Sequence, residues 1–222
     1  MEKAESEKRG LSMSMLNLND FRHTPLTREP FDHLIVPRFI RPEVLDSVQA
    51  DYPWIEQGGS FPLSTLTFGA AFERLTRELL GDEMRAAFAE KFDMDLCERP
   101  ATLTVRGYCR PKDGKIHVDS KTKLITVLLY LNAPWEAPGG RLRLLRNEQD
   151  IEDYFAEVPP ERGTLLCFRN GPTAWHGHKS FTGQRRVLQL NWVVSEAAAN
   201  ASARRHGLSA LIKRIVPIRK AA

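Results

Sequence analysis

Apolar and polar positions along the chain change period once, near residue 100. Before it the spacing is helical. Phe31, Leu34, Ile35 and Val36 first make a short apolar strand, ended by Pro37. Pro42 then suits the first turn of a helix carrying Val44, Leu45 and Val48. Phe68, Phe72, Leu75 and Leu79 share one helical face over residues 68–80, and Gly81 stops that helix. Asp82 is a candidate cap for a further helix with Met84, Ala87, Phe88 and Phe92 on its inner face. These aromatics read as core.

Beyond residue 100 the period is two. Candidate strands are 101–109, 115–119, 123–131, 141–146, 163–169 and 186–194, separated by Pro, Gly, Asn and Asp turn signals. The acidic stretch 151–158 reads as one or two helical turns. Many short strands at this spacing predict a sandwich or jelly roll, not a parallel sheet. The fold class expected is therefore mainly β with α, a jelly-roll core buttressed by N-terminal helices. Three divisions are expected: a loose polar arm over 1–30, one domain over 31–196 and a tail over 197–222. Within the domain, a helical layer covers 31–98 and the β core 99–196.

Composition narrows the class. The 222 residues are 42% hydrophobic and 27% charged, ordinary for one globular domain. The net charge of +4 is unevenly placed. After Glu196 there is no acidic residue, only Arg204, Arg205, Lys213, Arg214, Arg219 and Lys220. Without those six, 26 basic residues face 28 acidic ones, a net of −2. A basic tail on a near-neutral body argues against a nucleic-acid-binding core. Cys97, Cys109 and Cys167 form no CxxC pair and read as buried small hydrophobes in a reducing compartment. The first thirty residues hold no apolar signal-peptide core, and the expected location is cytoplasmic. In the tail, Leu208, Leu211, Ile212, Ile215 and Val216 form a helical stripe with basic neighbours. Docking on the body is its simplest reading. A dimer contact or weak attachment to an anionic membrane through residues 207–216 are the alternatives.

The candidate chemistry centres on His117-Val118-Asp119. On a strand, residues i and i+2 point to one face, so imidazole and carboxylate reach one point. A histidine from another strand, such as His176, completes the two-His-one-carboxylate face of a non-haem iron site. A lone His-x-Asp is more often a structural hydrogen bond. The downstream pattern shifts the weighing: Trp175-His176 is followed by Arg186, which opens an apolar strand. An arginine among Leu188, Leu190 and Trp192 is costly unless it meets an anion, and its planar fork suits a carboxylate.

From about Phe31 to Val194 the chain resembles the Fe(II)- and 2-oxoglutarate-dependent dioxygenases, in their prolyl 4-hydroxylase-like branch. The resemblance rests on Tyr108 with His117-Val-Asp119, Leu124 to Asn132, and Gly139-Gly-Arg-Leu-Arg-Leu144. It continues through Pro159-Pro-x-x-Gly163, Leu165 to Phe168, Trp175-His176, Arg186 and Trp192. It implies a double-stranded β-helix core with His117, Asp119 and His176 as iron ligands. It further implies that Arg186 and Tyr130 bind the distal carboxylate of 2-oxoglutarate and that Tyr108 lines the cosubstrate pocket. Tyr108 stands one residue nearer His117 than in some relatives. His178 rivals His176, which is preferred for its spacing to Arg186. Arg185 rivals Arg186; alternation with Leu188, Leu190 and Trp192 favours Arg186 and sends Arg185 to solvent.

The implied cofactors are Fe(II), 2-oxoglutarate and O2, with ascorbate supportive. The implied reaction hydroxylates an unactivated C–H bond while 2-oxoglutarate becomes succinate and CO2. Retention of Asp119 favours hydroxylation over halogenation. A small molecule is the favoured substrate, and a prolyl or other residue of a peptide the alternative. A non-catalytic metal-binding jelly-roll scaffold and a metallohydrolase are the rival classes. Arg141 and Arg143 read as a solvated face, the sharper alternative being contact with an anionic substrate. Lys121 and Lys123 are expected to flank the entrance. Trp135 is expected to cover the site or plug the core edge.

Overall fold

The computed structural model describes residues 13–215, with side chains through Gly207. Two antiparallel sheets face each other. The larger has the strand order β1-β7-β4-β9-β3-β2 and the smaller β6-β5-β8. The larger is built from β1 (His33–Val36), β2 (Phe61–Pro62), β3 (Ala101–Cys109), β4 (Lys123–Tyr130), β7 (Leu165–Arg169) and β9 (Gly183–Val193). The smaller holds β5 (Leu142–Leu145), β6 (Tyr154–Val158) and β8 (His176–His178). This is the jelly roll expected from the strand spacing and the double-stranded β-helix that the resemblance implies.

Helices cover the outer face of the large sheet. They are α1 (Leu18–His23), α2 (Pro42–Ala50), α3 (Ala70–Leu79) and α4 (Asp82–Phe92). Pro42 opens α2, where its missing N–H has no helical partner to lose. Phe72, Leu75 and Leu79 of α3 and Met84, Phe88 and Phe92 of α4 are buried, as their spacing predicts. Gly81, not Asp82, is the N-cap of α4. Phe88 meets Trp192 of β9 with ring centroids 4.8 Å apart. The main core therefore lies between helices and sheet and takes in Leu103, Val105, Leu188, Leu190 and Trp192.

Four expectations change. Part of the arm over 1–30 belongs to the fold: Met15, Leu16, Leu18 and Phe21 are buried, and Phe21 stacks on Phe88 at 4.4 Å. The rest, residues 1–12, lies outside the described residues. Residues 151–158 give the edge strand β6, paired to β5 from Leu142↔Val158 to Leu145↔Tyr154. Segment 115–119 is no strand; His117 touches His176 through one isolated bridge. Cys97 is exposed, whereas Cys109 and Cys167 are buried.

A fifth helix, α5 (Glu196–Ile215), leaves β9 and runs beside β2 and β3. The stripe Leu208 to Val216, with its docking, dimer and membrane alternatives, falls outside the described side chains. No helix among the described residues is long and apolar enough to cross a membrane.

Candidate active site

The inner faces of β3, β4 and β9 are more polar than their outer faces. Thr102, Thr104 and Arg106 alternate with Leu103 and Val105, and Gln189 and Asn191 alternate with Leu188, Leu190 and Trp192. The polar set lines a cavity of about 480 Å³. Its size falls in the range of small-molecule sites. The first turns of α5 help wall it, through Ala198, Ser202, Arg205 and His206.

Within this cavity His117, Asp119 and His176 offer ligand atoms that all lie within 4.8 Å of one another. Paired backbone bonds of 3.0 Å between His117 and His176 fix the two histidines, and their ring centroids are 4.3 Å apart. His117 Nδ1 donates to the Lys115 carbonyl at 2.9 Å and His176 Nδ1 to the Ala174 carbonyl at 2.9 Å. A carbonyl can only accept, so both rings carry their proton on Nδ1 and present Nε2 as a bare donor to a metal. Asp119 accepts from Lys123 Nζ at 2.7 Å and from the Thr126 hydroxyl at 2.6 Å. Burial works to raise the Asp119 pKa. The Lys123 and His176 charges and those hydrogen bonds outweigh it and hold the carboxyl below its usual range. Burial and the His117 charge push His176 down to about 4, so the ring is neutral near pH 7. Two imidazoles that turn Nε2 away from their Nδ1 hydrogen bonds and a carboxylate form the donor set of a facial triad, and the residues present fit iron(II).

His178, the rival third ligand, is not in the cluster. Its Nδ1 donates to the Lys179 carbonyl at 2.8 Å, and Nε2 faces the Cys109 thiol at 3.8 Å. Burial and the nearby Arg185 push its pKa down to about 4.

The arginine assignment is corrected. Arg186 does share a face with Leu188, Leu190 and Trp192, but that face packs on the helices. Its Nη1 donates to the Gln49 carbonyl in the last turn of α2 at 3.2 Å, and its guanidinium lies 5.5 Å from the Tyr52 ring centroid. Arg185 is the residue in the cavity, 5% exposed. The two arginines stand together opposite Gly107, because the register passes from Arg106↔Val187 to Tyr108↔Gln184. An extra residue on one strand re-aims the side chains beside it. Arg185 Nε donates to the Gly140 carbonyl at 2.7 Å, while its buried Nη2 has no hydrogen-bond partner.

Tyr130 lies against Arg185, its ring centroid 5.5 Å from the guanidinium carbon. Its hydroxyl is fully buried and meets no hydrogen bond of good geometry. Burial, opposed by the Arg185 charge, pushes its pKa up to about 12. A buried donor pair without an acceptor is expensive in an empty core and suits a site built to receive a carboxylate. Tyr108, past the register shift, is half-buried and does not line the cavity; Arg106 does.

Of the other basic residues, Lys123 lines the cavity and Lys121 is exposed. Arg143 is buried and pairs with Glu157 at 2.7 Å and Glu152 at 2.9 Å. Arg141 Nη2 donates to the Trp135 carbonyl at 2.8 Å. Neither lines the cavity. Trp135 packs on Phe181 at 4.7 Å and donates from Nε1 to the Gly139 carbonyl. Sequence reasoning passed over Arg106, Thr126 and Gln189. Their signal was a polar residue at every second position of a strand otherwise long and apolar.

Residues 103–194 match the 2OG-Fe(II) oxygenase superfamily, the stretch that holds every residue of the donor set. Three solved structures show the same fold. A Pseudomonas putida prolyl-4-hydroxylase is 17% identical, with a TM-score of 0.54 over 82% of this chain and 97% of that one. A Trichoplax adhaerens prolyl hydroxylase, solved with a hypoxia inducible factor oxygen degradation domain peptide, is 17% identical, with a TM-score of 0.51 over 91% and 96%. An oxidoreductase of the 2OG-Fe(II) oxygenase family from Burkholderia pseudomallei is 12% identical, with a TM-score of 0.51 over 82% and 93%. No curated protein matches the sequence. The fold is thus the double-stranded β-helix of the prolyl-4-hydroxylase-like 2OG-Fe(II) oxygenases.

Proposed function

We propose that this protein is an Fe(II)- and 2-oxoglutarate-dependent dioxygenase that hydroxylates an unactivated C–H bond of a small molecule. One observation carries the reading. The His117, Asp119 and His176 donor set shares its β-barrel with a buried Arg185 Nη2 and a buried Tyr130 hydroxyl that meet no hydrogen-bond partner.

In this reading His117 and His176 supply neutral imidazole nitrogens to the iron and Asp119 a carboxylate. Bound iron supplies the activation of O2, coupled to decarboxylation of 2-oxoglutarate to succinate and CO2. Arg185 Nη2 and the Tyr130 hydroxyl donate to the distal carboxylate of 2-oxoglutarate. The Gly140 carbonyl holds Arg185 Nε and so aims the fork. The Lys115 and Ala174 carbonyls fix the histidine tautomers. Leu128, Leu142 and Val187 give the cavity an apolar wall that limits water beside a reactive centre.

The cavity volume and the α5 residues that wall it favour a small molecule over a peptide. A purely structural metal site has no need of an unpaired guanidinium, which favours an enzyme over a scaffold. The test is an anaerobic titration with Fe(II) and 2-oxoglutarate. A visible charge-transfer band should form in the wild type, fail in His117→Ala, and need far more 2-oxoglutarate in Arg185→Gln. Under air and ascorbate the wild type should release succinate. Absence of both band and succinate would leave the scaffold reading.

A further inference from the structure

Two guanidiniums from the large sheet face this cavity, and the oxygenase reading uses one. Arg185 is assigned to the cosubstrate. Arg106, on the neighbouring strand β3, also lines the cavity. Its Nε donates to the Ser60 hydroxyl at 2.8 Å, and among the described residues its two Nη groups have no acceptor.

The acids nearby are already engaged. Asp113 accepts from the Arg110 backbone N–H and guanidinium at 2.9 to 3.3 Å. Asp119 is held by Lys123 and Thr126 and belongs to the metal site. Burial, then the charge of Arg185, pushes the Arg106 pKa below its ordinary value. Lys112, Lys115 and Arg205 continue the positive lining. Asp113 and Asp119 offset part of the repulsion between the two guanidiniums, but neither gives Arg106 a hydrogen bond. One molecule of 2-oxoglutarate relieves this incompletely. In the oxygenase reading its distal carboxylate would occupy the fork of Arg185 and leave that of Arg106 free.

We infer that Arg106 binds an oxyanion on the molecule being oxidised, so that the substrate is a small carboxylate- or phosphate-bearing compound. The inference rests on the oxygenase reading, which assigns Arg185 to the cosubstrate. Ser60 is then a positioning residue that orients the Arg106 fork through Nε. Lys115 and Arg205 draw the anion inward from the mouth.

The test uses the full chain loaded with Mn(II) and saturated with 2-oxoglutarate. Propionate and methyl phosphate are titrated separately by calorimetry, so that the two arms distinguish carboxylate from phosphate. Wild type should bind at least one of them. Arg106→Gln should weaken that binding about tenfold or more, with less than about threefold change in 2-oxoglutarate affinity. Arg106→Lys, which keeps the charge and loses the fork, should recover part of the binding. Circular dichroism of each variant reports folding. The inference is overturned if Arg106→Gln weakens 2-oxoglutarate as much as Arg185→Gln does. It is overturned equally if the wild type binds neither anion. Should the wild type bind no 2-oxoglutarate, the oxygenase reading fails on its own. Anion binding to the Mn(II) form that Arg106→Gln removes would then still support the inference, and binding it leaves intact would end it.

Discussion

Arg185 and Arg186 are adjacent and identical in chemistry, yet one faces the cavity and the other the C-terminal turn of α2. Period-two alternation separates them correctly but cannot say which face is which, because both faces of β9 are buried. The more apolar face, with Leu188, Leu190 and Trp192, looked like a barrel interior and is the helix-packing side. The interior is the more polar face, lined by Thr102, Thr104, Gln189 and Asn191. The clustering of His117, Asp119 and His176 was legible for the opposite reason: His-x-Asp is a local spacing, and His176 needed only a second strand. The pair also gives a sharp experiment. Arg185→Gln should weaken 2-oxoglutarate binding roughly 10- to 100-fold, the worth of a charge-assisted hydrogen bond. Arg186→Gln should leave it within about twofold and lower stability by about 1 kcal/mol, through the lost bond to the Gln49 carbonyl. Isothermal titration and urea unfolding of both variants read the two outcomes. Tyr130→Phe removes a buried hydroxyl that satisfies no protein group. The unliganded protein should therefore keep its Tm while its 2-oxoglutarate affinity falls several-fold.

Elements with a strong period were recovered almost to the residue, as β3 at 101–109 shows. Those with little amphipathic contrast were not. In β6 the strand sits at a sheet edge, with Tyr154 exposed and Glu157 paired to Arg143, so it read as an acidic helical turn or two. In the N-terminal segment, the six-residue α1 is too short to show a period, although Phe21 is fully buried. Phe21→Ala should cost about 3–5 kcal/mol, measured by chemical denaturation, because it empties the space between Phe39 and Phe88. A wild-type stability would show that residues near Phe21 are not part of the domain. Between β3 and the metal motif, Gly114 has φ +87° and gives its carbonyl to the His178 N–H. A Cβ there would lie 2.3 Å from the His178 ring. Gly114→Ala should lower the Tm and weaken metal binding together, since the loop carrying His117 starts from this contact.

At the scale of the molecule, the start of the basic tail lies beside the candidate site. α5 begins one residue after Ser195, and its first turns wall the cavity. Composition placed the charge correctly, but sequence distance hid how close the helix comes to His117. Metal loading should be visible in the whole protein's stability. At a free concentration of Mn(II) about 100 times its Kd, linkage gives about 2.7 kcal/mol. For a chain of this size that raises the Tm by roughly 5–10 °C. The rise should vanish on adding a chelator and in the His176→Ala variant, and a calorimetric scan checks both.

The division between the two faces of β3 and β9 also bears on how such an enzyme can change. Thr102, Thr104, Gln189 and Val193 look into the cavity, while the residues between them hold the helices to the sheet. Recognition and folding are written on alternate letters of the same strands. A mutant library confined to those four positions should therefore explore new substrates while sparing the core, and lineages can diverge in specificity without first finding extra stability.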